Sequence, residues 1–147
     1  MKTPALTTKY LISSAALILV TALSACSAMR SNNESVQVNL SGAQEVPAVP
    51  SGATGTGTIT VANDGSVSVS ITTSGIVATA AHIHLGAAGT NGPVIVPFTK
   101  TSDNTFAAPA GAKLNEAQMA SYKAGGLYVN VHSAKYPGGE IRAQIRP

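Results

Sequence analysis

Thr58-Ile59-Thr60-Val61-Ala62-Asn63-Asp64-Gly65-Ser66-Val67-Ser68-Val69-Ser70-Ile71-Thr72 alternates apolar and polar residues on both sides of an Asn-Asp-Gly centre. A period of two places one set of side chains on each face of an extended chain, the pattern of a half-buried strand. Asn, Asp and Gly tolerate positive φ better than other residues and so favour a tight reversal. The stretch therefore predicts a β-hairpin. Working outward, Val36, Val38 and Leu40 alternate with Gln37 and Asn39 in the same way, while the prolines of Ser41–Pro50 exclude a regular central strand there. On the other side, 78–85, 94–98, 127–133 and 140–145 read as short strands. The glycines and proline of 86–93 make a loop, and Tyr136-Pro137-Gly138-Gly139 makes a turn. One helix is predicted near Asn115 to Ala124, with Asn115 as N-cap, Gln118 completing a capping box, Leu114 and Met119 as a hydrophobic staple, and Gly125-Gly126 as the stop. The fold class is all-β: one antiparallel β-sandwich or Greek-key barrel with one short helix.

The N-terminus is of another kind. Lys2 and Lys9 precede an uncharged apolar run from Tyr10 to about Leu23, followed by Leu23-Ser24-Ala25-Cys26. The run is shorter than the roughly 20 residues that span a bilayer, and a basic start, apolar middle and small-residue end are the plan of an export signal. The cysteine after the small residues makes 1–25 resemble a bacterial lipoprotein signal, in which Cys26 is acylated and becomes the mature N-terminus. The expected organisation is a leader over 1–25, a lipidated Cys26 with a polar tether over 26–35, and one β domain over 36–147. The expected location is the cell envelope, lipid-anchored facing the periplasm. Ser27 after the cysteine resembles the pattern for onward transfer to the outer membrane.

Two of the nine basic residues of the chain lie in the leader, leaving seven against six acidic ones. A nearly neutral domain has no electrostatic basis for binding nucleic acid. Cys26 is the only cysteine, so no intramolecular disulfide braces the domain. There is no Gly-x-Ser-x-Gly elbow, no phosphate-binding glycine loop and no catalytic carboxylate pair.

The chemical signal is the set of three histidines. His82 and His84 are two apart in a predicted strand and share a face, opposite Ala81, Ile83 and Leu85. In the late strand, His132 shares its phase with Tyr128 and Asn130, opposite Leu127, Val129 and Val131. All three imidazoles thus lie off the core face and converge if the two strands are neighbours. Three neutral imidazoles suit a first-row divalent ion, copper most tightly and zinc as the alternative, and leave a coordination position open. The competing reading is surface imidazoles bonded to their neighbours. An unperturbed imidazole pKa near 6.5 predicts that such a site loses metal below roughly pH 6. Glu45 and Glu140 are candidates for a fourth ligand or for an acceptor of an imidazole N–H. Their ordinary alternatives are a loop carboxylate and an ion pair with Arg142 or Lys135. Tyr128 and Asn130 either line the histidine patch or are ordinary exposed strand residues, and nothing in the sequence places Arg142 near it.

Four motifs carry a family resemblance: Ser41-Gly42-Ala43-Gln44-Glu45-Val46-Pro47, Ala81-His82-Ile83-His84-Leu85-Gly86, Gly126-Leu127-Tyr128-Val129-Asn130-Val131-His132-Ser133 and Pro137-Gly138-Gly139-Glu140-Ile141-Arg142. In this order they resemble the CHRD domain, first recognised in chordin, across essentially all of Val36 to Ile145. Members often have glycine after the Glu-Ile-Arg triplet, where this chain has Ala143. The resemblance implies a single all-β domain in an exported protein and no settled enzymatic activity. The histidine arrangement is also similar to the copper ligands of the copper/zinc superoxide dismutases. That second resemblance implies a three-histidine copper site, with dismutase-like redox activity as the one enzymatic alternative. It does not extend to the dismutases' bridging histidine, zinc site or disulfide, which have no counterpart here. The functional expectation is an envelope lipoprotein binding a copper-type ion through His82, His84 and His132. The alternative is a non-catalytic protein- or matrix-interaction module without metal, whose partner is unknown.

Overall fold

The computed structural model describes Met1 and residues 33–147, so the rest of the expected leader, Cys26 and most of the tether lie outside the described residues. The central hairpin is present as drawn from the sequence. Strand β1 (Glu34–Ser41), which takes in the last two residues of the expected tether, pairs with β2 (Thr54–Val61), and β2 pairs with β3 (Val67–Ser74), all antiparallel. Val36, Val38 and Leu40 of β1, Ile59 and Val61 of β2, and Val67, Val69 and Ile71 of β3 turn to one side and are buried. Six further strands follow: β4 (Ala78–Leu85), β5 (Val94–Pro97), β6 (Thr99–Ser102), β7 (Thr105–Ala107), β8 (Leu127–Ser133) and β9 (Ile141–Ile145).

The strands form one sheet in the order β5-β4-β8-β9-β1-β2-β3-β7-β6. Its two ends, β5 and β6, are consecutive in the chain and joined at Phe98. The Phe98 N–H donates to the Ala81 carbonyl at 3.0 Å, and the Lys100 ammonium to the Ala78 carbonyl at 3.0 Å. These bonds draw both ends of the sheet onto β4 and roll it into a nearly closed barrel. Consecutive β3 and β4 are not sheet neighbours, nor are β7 and β8, so the chain crosses the barrel twice in Greek-key fashion. The interior is filled by Leu40, Ile59, Ile71, Ile83, Phe106, Val129, Val131, Ile141 and Ile145, each at most 2 % exposed.

The one α-helix among the described residues, α1 (Glu116–Lys123), starts as its sequence requires. The Gln118 N–H donates to Asn115 Oδ1 at 2.9 Å, and the Asn115 N–H to Gln118 Oε1 at 2.9 Å. Gly125, at φ 68°, ends it. The short hairpin β6–β7 was not legible in the sequence. All four residues of β6 are exposed, so no apolar alternation marks it.

Candidate metal centre

Strand β8 is buried along its whole length, on both faces. Leu127, Val129 and Val131 point into the barrel, while Tyr128, Asn130 and His132 point outward and are covered by the connections around 42–51, 86–93 and 134–140. The reading of Tyr128 and Asn130 as ordinary exposed strand residues is therefore corrected: both are 2 % exposed. In the β4–β8 ladder His84 lies opposite Tyr128, His82 opposite Asn130 and Ala80 opposite His132. Cross-strand pairing thus sets His132 diagonally beside His82, on the phase inferred from the alternation.

The three imidazoles meet. One ligand nitrogen from each of His82, His84 and His132 lies within 4.8 Å of the others. Each ring is held by its second nitrogen or by a neighbour. His84 Nδ1–H donates to the Gly92 carbonyl at 2.8 Å, and His132 Nδ1–H donates to the Pro137 carbonyl at 2.9 Å. A carbonyl only accepts, so both rings carry their proton on Nδ1 and turn the Nε2 lone pair inward. His132 Nε2 receives His82 Nδ1 at 3.0 Å. His84 Nε2 is buried and has no hydrogen-bond partner. A buried unpaired acceptor is costly, and here it points to a group that completes the site. Burial, followed by the neighbouring His132 and His84, lowers the His82 pKa from 6.5 to about 4. Burial also lowers that of His132, with the Pro137 carbonyl working in the opposite direction. These downward shifts favour the neutral form of His82 and His132, the form that binds metal.

Neither glutamate joins the cluster. The Glu140 carboxylate accepts from the Ser51 hydroxyl at 2.6 Å and from the Ser133 hydroxyl, two contacts that secure the start of β9. It makes no ion pair with Arg142 or Lys135; among the described residues the ion pair is Lys113–Asp64. Glu45 is buried, and its Oε1 lacks a partner. Burial raises its pKa, opposed chiefly by the Arg142 charge. It packs against Gly139, where a Cβ would stand 2.5 Å from Glu45 Oε1 and 2.7 Å from Asn130 Nδ2. Glu45 thus sits over the Asn130 position of the same outer layer. Three of the four buried unpartnered side-chain atoms among the described residues, on Glu45, His84 and Asn130, belong to this layer. A surface hollow of about 690 Å³ is lined by Asp64, Lys113 and Met119 among others and contains no histidine.

The residue that sequence reasoning left aside is Arg142. Only 2 % exposed, it places its Cζ 3.4 Å from the centroid of the Tyr128 ring, while the His84 ring stacks on Tyr128 at 4.8 Å and 10°. Its guanidinium donates to Asn91 Oδ1 at 3.0 Å and to the Thr90 carbonyl at 2.8 Å. A signal was available. Arg142 alternates with Ile141, Ala143 and Ile145 and so shares the outer face with the histidines. Gly92, whose carbonyl orients His84, is also set by geometry, since any Cβ there would collide with the Leu85 carbonyl.

No curated protein and no solved structure matches the chain. The CHRD domain family model matches residues 36–145, which takes in the barrel from β1 to the end of β9 and with it all three histidines, Glu45 and Arg142. By that match, extending over most of its length, the chain belongs to the CHRD domain family.

Proposed function

We propose that this protein is a cell-envelope lipoprotein whose CHRD domain binds a copper ion through His82 Nδ1, His84 Nε2 and His132 Nε2. The observation that carries the reading is the buried, unpartnered His84 Nε2, which faces two further imidazole nitrogens with no carboxylate among them. Two rings already hold their protons on the far nitrogen. Only His82 must move its proton from Nδ1 to Nε2, a neutral-to-neutral tautomer change that exchanges the His82–His132 hydrogen bond for two metal bonds. An all-imidazole set favours copper over zinc on the general affinity order. Bound copper would supply a redox-capable Lewis acid; the protein residues supply a preset donor triangle beneath a cover that keeps most water out. The N-terminal resemblance supports lipid anchoring at Cys26 and a periplasm-facing, outer-membrane location.

Metal analysis of protein purified without a polyhistidine tag, followed by copper and zinc titration, tests the reading. Stoichiometric copper that competes out zinc is the expected result. A chain that binds neither ion would leave the CHRD domain as an interaction module without metal.

A further inference from the structure

We infer that Arg142 is a positioning residue for His84, acting through Tyr128 and through the loop that carries Gly92. The inference concerns the histidine site proposed above, but its first observable does not depend on a metal.

Two arms run from Arg142 to His84. The first is a stack. β4 and β9 flank β8 on opposite sides, so the His84 imidazole and the Arg142 guanidinium reach Tyr128 from its two sides. The phenol ring is clamped between them, and the cation–π contact adds attraction to simple packing. The second arm is a chain of hydrogen bonds. The guanidinium holds the Thr90 carbonyl and Asn91 Oδ1, and Asn91 Nδ2 in turn donates to the Val46 carbonyl at 2.6 Å. Gly92 follows at once. Its N–H donates to the Tyr128 hydroxyl at 3.2 Å, and its carbonyl receives His84 Nδ1–H at 2.8 Å. Both arms end on the same ring, one fixing its plane and the other its proton.

The partners chosen for the guanidinium are themselves informative. A fully buried arginine is ordinarily matched by a carboxylate. Here its acceptors are the Thr90 carbonyl, Asn91 Oδ1 and, at 3.5 Å, Gln144 Oε1, all neutral, and Glu45 acts on it only through space. The side chain is thus used for its planar fork and its flat face. Lysine retains the charge but has neither.

The test uses the full-length chain, metal-free, at one fixed pH above 7. Side-chain ¹⁵N–¹H correlation spectra report which nitrogen of each histidine carries the proton. In the unaltered chain His84 and His132 are both Nδ1–H. In Arg142→Lys, His84 becomes a mixture of tautomers while His132 stays Nδ1–H. Asn91→Ala, at an exposed position, produces the same change more weakly and serves if Arg142→Lys does not fold. Copper affinity should fall about 10–100-fold in Arg142→Lys, the usual effect of losing a group that orients a ligand. An unaltered His84 tautomer in folded Arg142→Lys, or in Asn91→Ala where the first variant does not fold, overturns the inference. A shifted tautomer in a chain that binds no copper upholds the positioning role and removes the metal reading instead.

Discussion

His132 joins two parts of the chain that are remote in sequence, and this makes it the decisive residue. His82 and His84 are neighbours in any extended segment, whereas His132 reaches them only because β8 pairs with β4. His132→Ala should therefore weaken copper binding by at least the 10–100-fold that follows loss of an orienting group, measured by competition titration. The alternation of β8 alone predicts no cost to folding. The structure changes that expectation, because His132 is 8 % exposed and its loss removes the acceptor of part-buried His82 Nδ1–H as well as the bond to the Pro137 carbonyl. A destabilisation of about 1–3 kcal/mol by urea unfolding is expected. The pH dependence is also revised. The folded pKa of His82, about 4, lies below its value of 6.5 outside the fold. The unfolded chain then binds more protons between these values, so the contribution to metal-free stability is complete above about pH 6.5 and is lost as pH falls toward 4. Thermal melts from pH 7.5 to 4 should follow that course. Because burial lowers the His82 and His132 pKa values, proton competition for these two rings should set in at a lower pH than free imidazoles would give, as copper titrations between about pH 7 and 5 would reveal.

At the scale of elements, the strands carrying the histidines were legible because their apolar residues alternate. Val129 and Val131 face inward, so His132 has to face outward. Burial of the outer face was not legible, because alternation tells which residues share a side and not what covers that side. The cover comes from connections whose backbone carbonyls, at Gly92 and Pro137, orient the imidazoles, and a carbonyl leaves no trace in side-chain pattern. Helix α1 offers a contrast, since its capping box is entirely local and its sequence spells it out. Asn115→Ala should cost about 1 kcal/mol, the usual value of an N-cap, while leaving copper affinity unchanged. Chemical denaturation and copper titration of the same variant check both halves. A large change in affinity would mean that the helix and the histidine layer are coupled by a route other than the contacts described.

At the scale of the whole molecule, the chain divides into a barrel that the sequence pattern and the family match describe together and an N-terminal segment known from its resemblance alone. Cys26→Ala should leave the protein in the soluble fraction or unprocessed, whereas the parent chain is expected to sediment with membranes. Unaltered sedimentation with normal signal removal would exclude lipid attachment at that cysteine. The rolled sheet has a further consequence for any partner. Proteins that capture extended peptides often do so by offering a strand edge, whose unpaired N–H and C=O groups accept an incoming chain. Such edges also invite self-association. In this barrel the two terminal strands of the sheet are four residues long each, and the Phe98 N–H and the Lys100 side chain already bond to carbonyls of β4. Strand addition therefore has almost no template here. A β-rich protein of this shape is guarded against edge-to-edge aggregation mainly by closure of its own sheet, with the one lysine of the edge strand, Lys100, turned to the seam rather than to solvent.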